Sequence, residues 1–251
     1  MKITILGSGT STGIPMVGCG CPVCSSTDPR DKRTRASLLI ETGGRYILVD
    51  TSPDLRRQAL RHRIPHIDAV LLTHSHADHI NGIDDLRGFH FIHRRLIPCY
   101  GSRETMEAVQ RNFSYIFKGM EIAGYAPLLD PHVMAAPFAL FGQTIVPVHL
   151  YHGTMHATGY RIDGAAYLTD CSRIPESSLA LLTGLDLLII DGLRYTPHEN
   201  HFNIEGALKV IEELRPRRAV LTHLTHEVAH ADEARLPAGV EFAYDGMEIA
   251  L

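Results

Sequence analysis

The run Thr73-His74-Ser75-His76-Ala77-Asp78-His79 constrains this chain more than any other stretch. It places three imidazoles and one carboxylate within six positions, directly after the apolar run Ala69-Val70-Leu71-Leu72. A strand that ends in such a cluster gathers its polar groups into one small volume. Imidazole and carboxylate are the ligands that divalent metals such as Zn²⁺ and Mn²⁺ accept. The bland alternative is a solvated, histidine-rich loop, but later segments supply the ligands this cluster lacks.

Those segments repeat one pattern. His152 follows a strand expected over 143–148, Asp170 ends Tyr167-Leu168-Thr169, and His223 ends Ala219-Val220-Leu221-Thr222. Asp191 ends Leu188-Ile189-Ile190, and Asp50 ends Ile47-Leu48-Val49. Taken singly, a strand-terminal aspartate is most often a cap or turn residue, and a loop histidine is solvated. Their joint arrangement points to a metal centre where strand ends meet.

The 251 residues fit one large domain or two small ones. With 45% hydrophobic and 21% charged residues, the chain can bury a substantial core. A net charge of -4 gives no global attraction to nucleic acid or to anionic membranes. No apolar run reaches bilayer-spanning length. The opening Met1–Gly7 stretch reads as a first strand rather than a signal peptide. Three of the five cysteines fall within six residues, and an odd total argues against a disulfide framework. Thiolates held by a metal in a reducing cytoplasm fit better.

Strands are expected over 2–6, 37–41, 45–49, 68–73, 96–100, 143–148, 158–162, 165–168, 185–190, 217–221 and 240–244. Gly43-Gly44 reads as a hairpin turn. Helices are expected over 53–61, capped by Ser52 or Thr51, and over 103–112, 175–182 and 203–214. Residues 113–141 read as irregular because of their Gly and Pro content. This pattern predicts an α/β fold with two sheets packed face to face and helices outside.

His74-Ser75-His76-Ala77-Asp78-His79 matches the HxHxDH motif in full, and Gly82 follows in place. The chain thereby resembles the metallo-β-lactamase superfamily over nearly its whole length. The resemblance implies a four-layer αββα sandwich formed by residues 1–251 as a single hydrolase domain. It implies that His74, His76 and His152 hold one divalent metal, that Asp78, His79 and His223 hold a second, and that Asp170 bridges them. Two such ions, Mn or Zn, lower the pKa of a shared water and clamp an anionic oxygen, which suits hydrolysis of a phosphodiester by a metal-bridged hydroxide. Asp78 can also orient that hydroxide or accept its proton. His201, in Pro197-His198-Glu199-Asn200-His201, is the candidate donor to the leaving oxygen.

Gly18-Cys19-Gly20-Cys21-Pro22-Val23-Cys24 is a C-x-C-x₂-C arrangement. Three thiolates leave one tetrahedral zinc position open, and His226 in Thr222-His223-Leu224-Thr225-His226 offers the fourth ligand. Cys99 and Cys171 read as small core residues. The Gly7-to-Pro15 opening, the three cysteines, HxHxDH, Asn200-His201, the Thr-His-x-x-His pair and Asp245-Gly246-Met247-Glu248-Ile249 closely resemble the phosphoribosyl cyclic phosphodiesterase family of the carbon–phosphorus lyase pathway. That resemblance implies a structural Cys₃His zinc, a dinuclear site and a small cyclic phosphodiester of a ribose phosphate as substrate. Residues 113–141 do not follow the family, and His149, His156 and His198 are additions to it. A homodimer is left open. The competing readings are a tRNA 3′-processing endonuclease, a thioester hydrolase, and a non-catalytic zinc-binding accessory protein. The chain lacks a long basic arm for tRNA, a thioesterase has no need of the cysteine zinc, and accessory relatives lose HxHxDH.

Overall fold

The computed structural model describes residues 1–118 and 128–251. Among the described residues, fourteen strands form two seven-stranded sheets. The first contains β1 (Lys2–Gly7), β2 (Ser37–Thr42), β3 (Arg45–Val49), β4 (Ala69–Leu71), β5 (Ile97–Gly101) and β6 (Leu129–Val133) side by side in chain order. The second contains β7 (Phe138–Leu140), β8 (Gln143–His152), β9 (Met155–Ile162), β10 (Ala165–Leu168), β11 (Leu187–Asp191), β12 (Arg218–Thr222) and β13 (Val240–Phe242), again in order. The last strand, β14 (Glu248–Ala250), returns to pair with β1.

Period-two alternation points successive residues to opposite faces, and the central strands are apolar on both. Ile3, Ile5, Leu38, Ile40, Ile47 and Val49 face the second sheet and meet Ile145, Tyr160, Ile162, Leu187 and Ile189 there. Leu6, Leu39 and Leu48 point the other way, toward helices α1 (Leu55–Arg61), α2 (Ala77–Ile80), α3 (Arg87–His93), α4 (Arg103–Asn112) and α5 (Ser114–Lys118). Leu188, Ile190, Ala219 and Leu221 pack toward α6 (Glu176–Leu179) and α7 (Ile204–Leu214). The result is the four-layer αββα arrangement, with one core between the sheets and one under each helical layer. The central strands therefore have two buried faces, which only a near-continuous apolar run provides.

The Gly43-Gly44 turn is as expected. Both glycines have positive φ, 54° and 74°, as a two-residue hairpin turn requires, and Thr42 pairs with Arg45 across it. Asn203 caps α7 rather than starting it, its side chain accepting from the Gly206 N–H at 3.0 Å.

Some boundaries differ from expectation. Helix α1 begins at Leu55, and neither Thr51 nor Ser52 is its cap. The Thr51 hydroxyl is drawn to the carbonyls of His79 and Ile80 instead. Strand β4 is shorter than 68–73 because its flanks are held by side chains. Asp68 accepts from the Tyr46 N–H, and the Thr73 N–H donates to the Asp50 carboxylate. Strand β8 runs on to His152, so that histidine ends the strand instead of following it. The stretch 175–182 is α6 followed by a turn of 3₁₀ helix. Residues 113–141 are not irregular throughout, since α5, β6 and β7 lie within them. Pro131 is tolerated because β6 is an edge strand, where a missing N–H costs no ladder bond. The expectation for 119–127 lies outside the described residues.

Candidate metal centre

Strands β3 and β4 run parallel, as do β10, β11 and β12. Strand β8 is antiparallel to β9, and β9 to β10, so β8 also runs with β10. The carboxyl ends of all six strands therefore gather at one rim. Asp50, the His74–His79 loop, His152, Asp170, Asp191 and His223 sit there. The two sheets are tied at this rim by the Tyr160 hydroxyl, which donates to the Leu72 carbonyl at 2.6 Å, and by the Thr158 N–H, which donates to the Thr73 carbonyl at 2.8 Å. Asp50, Asp170 and His223 have φ of 62°, 53° and 59°. That left-handed backbone costs non-glycine residues on the order of 1–3 kcal/mol each and clusters at functional sites.

Asp170 lies at the middle. Its Oδ1 is 3.2 Å from Nε2 of His79 and 3.2 Å from Nε2 of His223. Its Oδ2 is 3.5 Å from Nε2 of His74 and 3.9 Å from Nε2 of His152. His76 Nδ1 is 3.2 Å from His152 Nε2, and Asp78 Oδ2 is 3.4 Å from His79 Nε2 and 3.6 Å from His223 Nε2. Two compact groups result, His74, His76, His152 and Asp170, and Asp78, His79, Asp170 and His223, with the ligand atoms of each within 4.8 Å of one another. The ligand sets inferred from sequence are thus brought together as two groups sharing one carboxylate.

The donor atoms are preset. His79 Nδ1 donates to Asp50 at 2.7 Å, and His152 Nδ1 donates to the Asn200 carbonyl at 2.8 Å. The Thr73 hydroxyl donates to Asp50 at 2.8 Å, which leaves its lone pair to accept from His74 Nδ1 at 3.0 Å. In each ring Nδ1 carries a proton and Nε2 faces the cluster, the usual outer support of metal-bound histidine. The Nε2 atoms of His74, His79 and His223 are buried without a hydrogen-bond partner. Such orphans are rare unless an ion or water satisfies them, so the donor set fits divalent cations.

Electrostatics agree. Burial alone would push the Asp170 carboxyl up, but His223, His79 and His74 hold it well below the usual range. Burial alone would lower His223, yet Asp170 and Asp78 raise it to about 9. Burial likewise opposes the charge on His79, which Asp170 and Asp50 keep well above the ordinary histidine value. Carboxylate charge at the rim attracts cations, and protons fill that demand when metals do not.

Two glycines permit close approach. A Cβ at Gly82 would collide with the Ser52 carbonyl, and one at Gly153 would collide with the Asn200 side chain that crosses the β8–β9 hairpin tip. His201 lies beside the clusters, its ring stacked on His223 with centroids 4.8 Å apart. Its Nδ1 donates to Asp191 at 2.6 Å. Asp50, Thr73, the Asn200 carbonyl and Asp191 support the site, and none was assigned a role from sequence. For Asp50 and Asp191 the signal was visible, since each ends an apolar strand.

A third group forms apart from these. The sulfurs of Cys19 and Cys21 lie 3.2 Å and 3.4 Å from His226 Nδ1, and Cys24 completes the set within 4.8 Å. All five cysteines are free thiols. The Cys24 N–H donates to Cys21 Sγ, which brings that thiol down to about 6. Cys99 and Cys171 are buried in the helix-covered cores, as expected of small apolar residues.

Residues 45–224 match the β-lactamase superfamily domain. The chain belongs to that superfamily. It is also 41% identical over 254 residues to an octanoyltransferase from Porphyromonas gingivalis, covering 99% of this chain and 51% of that protein. The chain thus spans about half the length of that relative. It is similar to the crystal structure of a new diphosphatase from the PhnP family, with 39% identity, a TM-score of 0.93 and coverage of 100% of this chain and 97% of that one. Zn²⁺-bound PqqB from Methylobacterium extorquens shares the fold, with a TM-score of 0.82, 22% identity and 100% coverage of both chains. The superfamily match and the His/Asp groups agree in marking this rim as a candidate metal centre. Among the described residues, no helix is long and apolar enough to cross a membrane.

Proposed function

We propose that the chain is a dinuclear metal-dependent phosphodiesterase acting on a small cyclic phosphodiester of the phosphoribosyl cyclic phosphate type, with residues 1–251 working as one domain. The observation that carries the reading is Asp170, whose two oxygens face two different ligand groups. In this reading His74, His76 and His152 hold one cation, Asp78, His79 and His223 the other, and Cys19, Cys21, Cys24 and His226 a structural zinc. Divalent cations held at the rim supply Lewis acidity, charge neutralisation and a nucleophile at neutral pH.

The chain's own groups do the rest. Asp50, through Thr73 and His79, and the Asn200 carbonyl fix which ring nitrogens face inward. Asp78 is a carboxylate at working pH, because His223 and His79 outweigh its burial, so it accepts a proton at Oδ or orients the attacking group. His201, held by Asp191 through Nδ1, presents Nε2 to the leaving oxygen and donates the proton that a sugar alkoxide requires.

A second reading is diphosphate hydrolysis, favoured by the likeness to the PhnP-family diphosphatase. Octanoyl transfer is the name of a relative matched over about half its length. The test is turnover by the metal-loaded protein of ribose cyclic phosphates, bis(p-nitrophenyl) phosphate, a nucleoside diphosphate ester and an octanoyl thioester. The reading expects the cyclic phosphates to be turned over best. Turnover of the diphosphate or thioester alone overturns it.

A further inference from the structure

Two histidines outside all three groups meet on the β8–β9 hairpin. Thr158 opposes His149 and His156 opposes Tyr151. His149 and His156 are therefore diagonal neighbours on one face of the pair, within reach of each other's rings. The same face carries Ile145, Tyr160 and Ile162 into the core between the sheets. Nearer the tip that face is no longer covered, and both histidines are exposed. His149 Nε2 lies 2.7 Å from His156 Nδ1, with ring centroids 4.7 Å apart.

We propose that His149 and His156 form a two-imidazole chelate for a borderline transition metal such as Ni²⁺, Cu²⁺ or Zn²⁺, separate from the rim groups and the cysteine group. Metal–imidazole bonds of about 2.0–2.1 Å place two ligand nitrogens at right angles about 3 Å apart. The pair needs to open by only a few tenths of an ångström. Imidazole suits Zn, Cu and Ni, while its exposure leaves the remaining positions to water. The groups facing the pair are the Tyr151 ring and Arg173, whose guanidinium lies 3.7 Å over that ring. Partial burial, His156 and Arg173 keep His149 below its ordinary value, which favours its neutral, metal-binding form. A bound ion ties β8 to β9 close to His152, which ends β8 at the hairpin tip.

The test is calorimetric titration of the metal-loaded, desalted full chain with Ni²⁺, together with its His149→Ala, His156→Ala and His132→Ala variants. The wild type and His132→Ala should each take one further Ni²⁺ per chain. Either substitution in the pair should weaken that step on the order of a hundredfold, since the second imidazole no longer acts intramolecularly. Electron paramagnetic resonance of the Cu²⁺ form should show two coupled imidazole nitrogens in the wild type and one in each pair variant. If no further Ni²⁺ binds, or if it binds equally well without either ring, the pair is a hydrogen bond between two imidazoles and the site is disproved.

Discussion

His201 and Asp191 are joined by a hydrogen bond of 2.6 Å from the ring Nδ1 to a carboxylate buried at the end of β11. The other ring nitrogen is thereby directed toward the cluster, and the same carboxylate accepts from the Cys171 N–H at 3.0 Å. If His201 protonates the leaving oxygen, His201→Ala should lower kcat by roughly 10²–10⁴ with metal content intact. The loss should be largest for an alkyl phosphodiester and smallest for p-nitrophenyl esters, whose leaving group departs unprotonated. Equal losses on both would assign His201 to binding or structure. His198, whose ring lies tilted beside that of His201 and donates to neither carboxylate nor cluster, should tolerate alanine.

Asp50 touches no proposed cation, yet it orders two ligands, His79 directly and His74 through Thr73. Asp50→Asn should reduce metal affinity by roughly 10–100-fold, the usual cost of losing outer support of a metal-bound histidine. Equilibrium dialysis with Mn²⁺ checks this. An unchanged affinity would show that the ligand rings hold their orientation without it.

Much of this site was legible in the sequence, for a physical reason. A ligand at the end of an apolar strand is announced by the strand itself, which is how His74, Asp170 and His223 were found. Asp50 and Asp191 carry the same signal, but their work depends on which strand lies alongside, and period-two patterning does not encode neighbours. The Asn200 carbonyl was invisible because backbone acceptors have no residue signature. The start of α1 was misplaced because the Asp54 carboxylate, which ends up at the helix cap position, binds Arg35 from a distant segment. Residues 113–141 misled for a related reason, since Pro131 disfavours a strand everywhere except at the edge it occupies.

The metal-free rim should compete for protons. His223 retains its proton below about 9, and His79 is also raised. A cation must displace those protons, so affinity should rise with pH through neutrality. The slope should be on the order of tenfold per pH unit for each proton displaced. Calorimetry in buffers of different ionisation enthalpy should show proton release at pH 7. Affinity independent of pH between 6 and 8 would mean that those rings are not ligands.

The cysteine group and the rim should separate in mutagenesis. Cys21→Ser should lower the melting temperature and the zinc content, because a structural zinc contributes several kcal/mol to folding. Asp170→Ala should leave the fold and the cysteine-bound zinc in place and abolish turnover. A Cys21→Ser protein with wild-type melting temperature and zinc content would contradict the structural role.

The shared carboxylate of Asp170 makes the dinuclear centre measurable in a single titration. Protein stripped by mild chelation should keep one zinc per chain, held by the cysteine group, and should be inactive on bis(p-nitrophenyl) phosphate. Adding Mn²⁺ back should restore activity only as the rim fills with two further equivalents, and Asp170→Ala should recover none. Full phosphodiesterase activity in the chelated protein, with a single metal per chain, would contradict a dinuclear hydrolase built around Asp170.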